Sequence, residues 1–105
     1  LGSLAMGGSG IISVVSNIFP SAVIQLTNAA AKGDYAQAQK FFYTLLPAID
    51  ALICEVNPGP LKAGLEVLGL SKNFLRPPLA SITDENYRRV ERIILGTSRE
   101  LSALL

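Results

Sequence analysis

The stretch Gly7-Gly8-Ser9-Gly10-Ile11-Ile12-Ser13-Val14-Val15-Ser16-Asn17-Ile18-Phe19-Pro20 constrains the fold more than any other part of the chain. Ile11 to Val15 is too short and too β-branched for a helix of its own, and it predicts a strand. Apart from Ser13 its residues are apolar, which is the pattern of a parallel strand covered on both faces rather than of a hairpin edge. Such a strand needs neighbours for its N–H and C=O groups, because burying them unpaired is costly. No second stretch in the 105 residues has comparable strand character. The missing neighbours must come from another polypeptide segment, and the expectation is one end of a larger α/β protein.

Composition points the same way. Half of the residues are hydrophobic, only 16% are charged, and the mean hydropathy is +0.40. A small soluble domain exposes proportionally more polar surface than this. No apolar run approaches the roughly 20 residues that span a bilayer, so surface buried against further protein is preferred to a membrane. Nine basic and eight acidic residues, a net charge of +1, give no electrostatic case for nucleic acid. A single cysteine, Cys54, and no histidine exclude an intrachain disulfide and argue against a zinc site. That usage suits a reducing cytoplasm. The opening Leu1-Gly2-Ser3-Leu4-Ala5-Met6 has no basic region and no long apolar core, so it does not read as a signal peptide. The absence of an initiator Met fits a chain that begins inside something longer.

In order, Leu1 to Met6 reads as the last turns of a helix stopped by Gly7-Gly8. A sharper reading of Gly7 to Gly10 is a phosphate-cradling loop, but such loops follow a strand and open a helix, and here the order is reversed. After the strand, Ser16 or Asn17 caps a helix from Pro20 to about Lys32, with Val23, Ile24, Leu26 and Ala30 on its apolar side and Gly33 at its end. Asp34 caps the next segment, Tyr35 to about Cys54. There Ala38, Phe42, Leu45, Ile49 and Leu52, joined by Phe41, Leu46 and Ile53, form a buried stripe that Pro47 should kink or divide.

Further on, Pro58 and Pro60 open a helix carrying Leu61, Leu65 and Leu68, which Gly69 ends. Leu70 to Ile82 reads as an extended connection. Thr83-Asp84-Glu85 starts a final helix with Tyr87, Val90, Ile93 and Ile94 inward and Arg88, Arg89, Glu91 and Arg92 outward. Leu101 to Leu105 packs back on the helices or at an interface.

Candidate chemistry is sparse. Glu55 and Lys62 are the tempting acid–base pair, set against a structured turn with a solvated lysine. The three arginines Arg88, Arg89 and Arg92 read as a solvated face rather than an anion site. No Ser/His/Asp set, metal cluster or paired-carboxylate site can be assembled.

Two stretches resemble one family. Gly7 to Asn17 is similar to the G-G-x-G-[VI]-I-S-V-x-[AS]-N pattern of the last barrel strand of the dihydrodipicolinate synthase (4-hydroxy-tetrahydrodipicolinate synthase) family, in the N-acetylneuraminate lyase superfamily. Glu55-Val56-Asn57-Pro58-Gly59-Pro60-Leu61-Lys62, followed by Leu68-Gly69-Leu70, resembles its E-x-N-P-x-P-x-K segment and L-G-L helix end, and Arg76-Pro77-Pro78-Leu79 its R-x-P-[LM] connection. Gly33 to Ala38 and Leu46-Pro47 also match, so the resemblance covers nearly the whole chain. Gly59 departs from the bulkier residue of the pattern.

The resemblance implies an α/β fold. Residues 1–32 would be the end of a (β/α)8 barrel (helix end, last strand and last barrel helix), and residues 33–105 a C-terminal helical extension. A barrel alone takes about 250 residues, so the N-terminal remainder of the barrel is the implied partner. The activity implied is condensation of pyruvate with aspartate semialdehyde in lysine biosynthesis, through an imine on a lysine of an earlier strand. That lysine and the proton-relaying tyrosine are not in this chain, and none of Lys32, Lys40, Lys62 and Lys72 matches the imine position. No catalytic residue, metal or cofactor is therefore assigned here. Ile12 matches the residue whose backbone carbonyl lines the pyruvate pocket. Family members are commonly tetramers, which implies a cytoplasmic homo-oligomer. The alternatives are another pyruvate-dependent aldolase or lyase of the superfamily, and a non-catalytic helical interaction module.

Overall fold

The computed structural model describes residues 1–105. It contains five α-helices: α1 (Gly2–Ala5), α2 (Pro20–Ala31), α3 (Tyr35–Ala51), α4 (Gly59–Val67) and α5 (Asp84–Leu104). A single 3-10 turn, Val15–Asn17, precedes α2. The expected strand over Ile11–Val15 is absent, and the chain contains no strand at all. The reason is physical. A strand exists only against a neighbour, and Ser9 to Ile12 exchange no hydrogen bond with any other residue. Val14 and Val15 are drawn instead into the turn, where the Ser16 hydroxyl donates to the Ser13 carbonyl at 2.6 Å and Asn17 Nδ2 donates to the Val14 carbonyl at 3.0 Å. Those bonds also correct the expected cap: Ser16 and Asn17 hold the turn before α2, while Phe19 occupies the cap position without a side-chain bond.

The helix ends follow from glycine. At Gly33 (φ +78°) the amide donates to Ala30 O at 3.0 Å, and the next amide, Asp34, reaches Ala29 O at 2.9 Å. This is the paired closure that requires a left-handed residue, at little cost to glycine. Gly7 and Gly69 close α1 and α4 in the same way. Asp34 then serves twice, because its carboxylate accepts the Gln37 amide at 3.0 Å and starts α3. The hairpin of α2 and α3 is thus set within three residues.

Helix α3 lies between α2 and α5 and carries the centre of the core. Its buried residues are Ala38, Phe41, Leu45, Ala48 and Ala51, with Leu52 following. The buried face is therefore rotated from the expected stripe: Phe42 and Ile49 are half-buried, and Leu46 and Ile53 are exposed. Alanines on the inner side let two neighbours approach closely around the buried Phe41, Leu45 and Leu52, while Phe42, Leu46, Ile49 and Ile53 flank this face. Pro47 sits inside α3 without dividing it. It lies on the exposed side, as does Tyr43 one turn earlier, whose carbonyl loses the amide partner that proline cannot supply.

Helix α4 likewise buries Gly59, Pro60, Ala63 and Gly64, while the expected Leu61, Leu65 and Leu68 are only half-buried. A Cβ on Gly64 would stand 2.7 Å from Ile18 Cδ1, so this face is kept small by the residue it packs on. On α2, Ala22 is buried and Ile24 exposed, the reverse of the expectation for Ile24.

The start of α5 is fastened by Glu55. Thr83 caps the helix by accepting the Asn86 amide at 3.3 Å. Glu55 Oε1 accepts from the Thr83 amide and hydroxyl, both at 2.9 Å, and from Asn86 Nδ2 at 2.7 Å. These bonds, led by that from Asn86, hold the Glu55 carboxyl below its usual range. A depressed carboxylate adds stability that is present above the unfolded-state value and lost as pH falls through the folded one.

Replacing Leu45 (1% exposed) by Ala is expected to cost about 2–5 kcal/mol in urea unfolding, while Ile24→Ala should stay within about 0.5 kcal/mol. Thr83→Ala is expected to cost about 1 kcal/mol. Glu55→Gln should lower the midpoint of thermal unfolding at pH 7. The gap from the parent should close as pH drops below the ordinary glutamate value of 4.5, when the parent's carboxylate protonates too.

Candidate functional site

In the segment leading into the turn, Ser9 to Ile12 leave their backbone unused, while the carbonyls of Ser13 to Val15 accept bonds from the turn. Ile12 is fully exposed, and Ser9 to Ile12 have free N–H and C=O groups on both sides. Beneath it lies an open apolar hollow of about 300 Å³. Ile11, Ile12 and Val15 form one wall, and Ile49, Leu52 and Ile53, at and just beyond the end of α3, form the other. Ser13 is the only polar residue lining it. Such a hollow is lined by apolar side chains, with the Ser13 hydroxyl as its one side-chain hydrogen-bonding group.

The order that the segment does have begins at Ser13. The Ser16 amide donates to Ser13 Oγ at 3.3 Å, while the Ser16 hydroxyl returns to the Ser13 carbonyl at 2.6 Å. The sequence reading passed over this reciprocal pair. Its signal was the Ser-x-x-Ser spacing, which lets a short polar side chain bond the backbone three residues away.

The other candidate residues are drawn into structure. Glu55 and Lys62 do not pair, since Glu55 is bound to the start of α5. Lys32, Lys40 and Lys72 are exposed, Lys62 is half-buried, and none of the four lines the hollow. Gly7 and Gly8 close α1, and a Cβ on Gly8 would stand 2.7 Å from the Ser3 carbonyl oxygen. A left-handed backbone at Gly7 and close approach to a helix end at Gly8, rather than a phosphate, are what these two glycines serve. Arg89 bonds Asp50 at 2.7 Å in an exposed pair joining α5 to α3, worth about 1 kcal/mol at most. Arg88 and Arg92 face outward.

Burial is the main influence on Cys54 and pushes its thiol up, away from the thiolate that a nucleophile needs. Tyr87 donates to Glu66 Oε2 at 2.9 Å, and that bond raises the phenol. It ties α5 to α4, a role the apolar reading of Tyr87 did not anticipate.

Comparison with known proteins agrees with this arrangement along the chain's length. The dihydrodipicolinate synthetase family model matches residues 1–96. The 4-hydroxy-tetrahydrodipicolinate synthase of Methanococcoides burtonii is 42% identical over 101 residues, 96% of this chain and 33% of the relative. That of Thermosipho melanesiensis is 40% identical over 91 residues, 87% of this chain and 32% of the relative. Among solved structures, the 4-hydroxy-tetrahydrodipicolinate synthase of Methylacidiphilum fumariolicum superposes with a TM-score of 0.91 at 33% identity, over 96% of this chain and 34% of that one. The Aquifex aeolicus dihydrodipicolinate synthase gives 0.89 at 32% identity, over 93% and 33%. The chain thus spans about a third of the length of the curated relatives it matches. With a family model covering nearly all of it and helices that superpose closely on those of solved members, the chain belongs to the dihydrodipicolinate synthetase family.

Proposed function

We propose that this chain is the C-terminal part of a dihydrodipicolinate synthase, a lyase that joins pyruvate to aspartate semialdehyde in lysine biosynthesis. Residues 1–32 close its (β/α)8 barrel and residues 33–105 form a helical extension. The observation that carries the reading is the unused backbone of Ser9 to Ile12 above an apolar hollow. A segment with both edges free, an exposed isoleucine and a glycine-rich lead fits a strand whose neighbours lie in another part of the polypeptide.

The surface area supports it. The chain exposes 6531 Å², against about 5,700 Å² for a compact monomer of its mass. Its radius of gyration is 14.3 Å, against about 13 Å for a compact domain of this length. Exposed Ile12, Ile53, Val56 and Phe74 supply apolar surface for barrel and subunit contacts. No helix is long and apolar enough to cross a membrane, which is compatible with a cytoplasmic tetramer.

In this reading the imine-forming lysine belongs to the remainder of the barrel. A partly desolvated amine attacks the pyruvate ketone, loses water to give the imine, and the derived enamine attacks the aldehyde. In this reading the chain contributes the Ile12 carbonyl, an acceptor in an otherwise apolar wall, and the packing that holds the last strand against the barrel.

Borohydride treatment in the presence of pyruvate is expected to leave a reduced pyruvate adduct, seen by intact mass, on a longer chain containing this segment or on a partner chain. A folded, unmodified 105-residue chain with no adduct-bearing companion would overturn the synthase reading. In the complete enzyme, Ile12→Val should leave trapping within about threefold, since the carbonyl is untouched. Weakening that carbonyl with an ester link between Ile12 and Ser13 should slow trapping roughly tenfold.

A further inference from the structure

We propose that Thr83 to Arg89, the start of α5, is held by an acid-released clasp: three carboxylates fasten it to the body, and acid frees it while the rest of the helix stays docked. The device is independent of the reaction proposed above. Burial divides α5 in two. From Val90 onward the core holds it, through Val90, Ile94, Thr97 and Leu101. Before Val90 the helix has no buried residue: Asn86, Tyr87 and Arg89 are half-buried, and Asp84, Glu85 and Arg88 are exposed. Ile82, buried close against Gly59, seats the chain just ahead of the helix. Two apolar anchors thus bracket a stretch that apolar packing leaves loose.

Polar bonds hold that stretch, and each carboxylate comes from a different place in the fold. Asp50 of α3 accepts from Arg89 at 2.7 Å, and Glu66 of α4 accepts the Tyr87 hydroxyl at 2.9 Å. Glu55, between the two helices, takes the Thr83 amide and hydroxyl at 2.9 Å and Asn86 Nδ2 at 2.7 Å. Glu55 therefore accepts three of these five bonds on a single oxygen. Bonds to an ionised acceptor are stronger than those to a neutral one, so protonation weakens the clasp without removing a residue. The bonds are solvated and individually weak, which places the first two turns at the low-stability end of the helix.

The direction of the pH effect follows. Glu55 is held below its usual range, chiefly by the Asn86 bond, so its contribution is complete above the ordinary value of 4.5 and is lost as pH falls through the lower folded value. Neighbouring groups act in the same sense. Asp84 and Glu85 in the first turn lose their favourable interaction with the helix N-terminal end when they protonate. Glu91, which acts on Tyr87, and neighbouring Cys54 are neutral in acid as well. Arg88 and Arg92 are then left as like charges one turn apart, which also favours opening.

Hydrogen exchange of the full-length protein, followed by mass spectrometry and expressed as protection relative to intrinsic rates, tests the clasp. Between pH 7 and about pH 3, protection of the amides of Tyr87 to Val90 is expected to fall roughly fivefold more than that of Thr97 to Leu104. Glu55→Gln, which replaces the carboxylate by its neutral isostere, should produce most of that difference already at pH 7. Asp50→Asn should produce a smaller part of it. An equal fall at both ends of α5 would overturn the proposal, because the helix then responds to acid as one unit. So would a Glu55→Gln variant whose protection at pH 7 matches the parent's along the whole helix.

Discussion

Everything in this chain is arranged about the burial of one side of α3. Ala38, Phe41, Leu45, Ala48 and Ala51 are removed from solvent by α2 on one flank and α5 on the other. Fully burying side chains such as Phe41 and Leu45 contributes about 1.5–3 kcal/mol each, and the alanines between them decide how near the flanking helices come. From that contact follow the direction of α5, the seat of α4 on α5, and the floor of the hollow, since Leu52 lies in the core and lines the hollow as well.

Polar bonds then join pieces that the core leaves free to slide. Glu55 reaches across 28 residues to the capping Thr83, Tyr87 reaches Glu66 on α4, and Arg89 reaches Asp50 on α3. All three are partly or wholly solvated, so they contribute register more than energy. The Glu55 case explains why an E-x-N-P segment without visible chemistry is useful: its carboxylate starts a helix that the sequence places far downstream. At the other end, the Ser13–Ser16 clip and Asn17 fasten the turn that leads from the free segment to α2. The molecule thus has a settled helical body and one edge, Ser9 to Ile12, whose hydrogen bonds remain to be made.

The helices were legible because their signals are local. Pro20, Asp34 and Thr83 mark starts, Gly7, Gly33 and Gly69 mark ends, and each operates within a few residues of itself. The face of each helix was less legible. Periodicity gives an apolar side to within one position, but on α3 Ala48 and Ala51 are buried while Leu46 is exposed and Ile49 half-buried, and on α4 Ala63 and Gly64 are buried while Leu61 and Leu65 are half-buried. Pro47 does not divide α3, because a proline on the exposed side of a long, well-packed helix costs it one hydrogen bond without ending it. The strand failed outright as an element: Ser9 to Ile12 are unpaired, and Ser13 to Val15 are taken up by the turn.

By itself, then, the sequence determined what depends on neighbours in the chain: where helices begin and end. Only the tertiary structure decided which residues the core takes in, that Glu55 serves a helix cap rather than a proton, and that Ser13 and Ser16 hold the turn beside Ile12. These depend on groups brought together from distant positions or by the path of a turn, and a hydrogen bond over 28 residues leaves no periodicity to read.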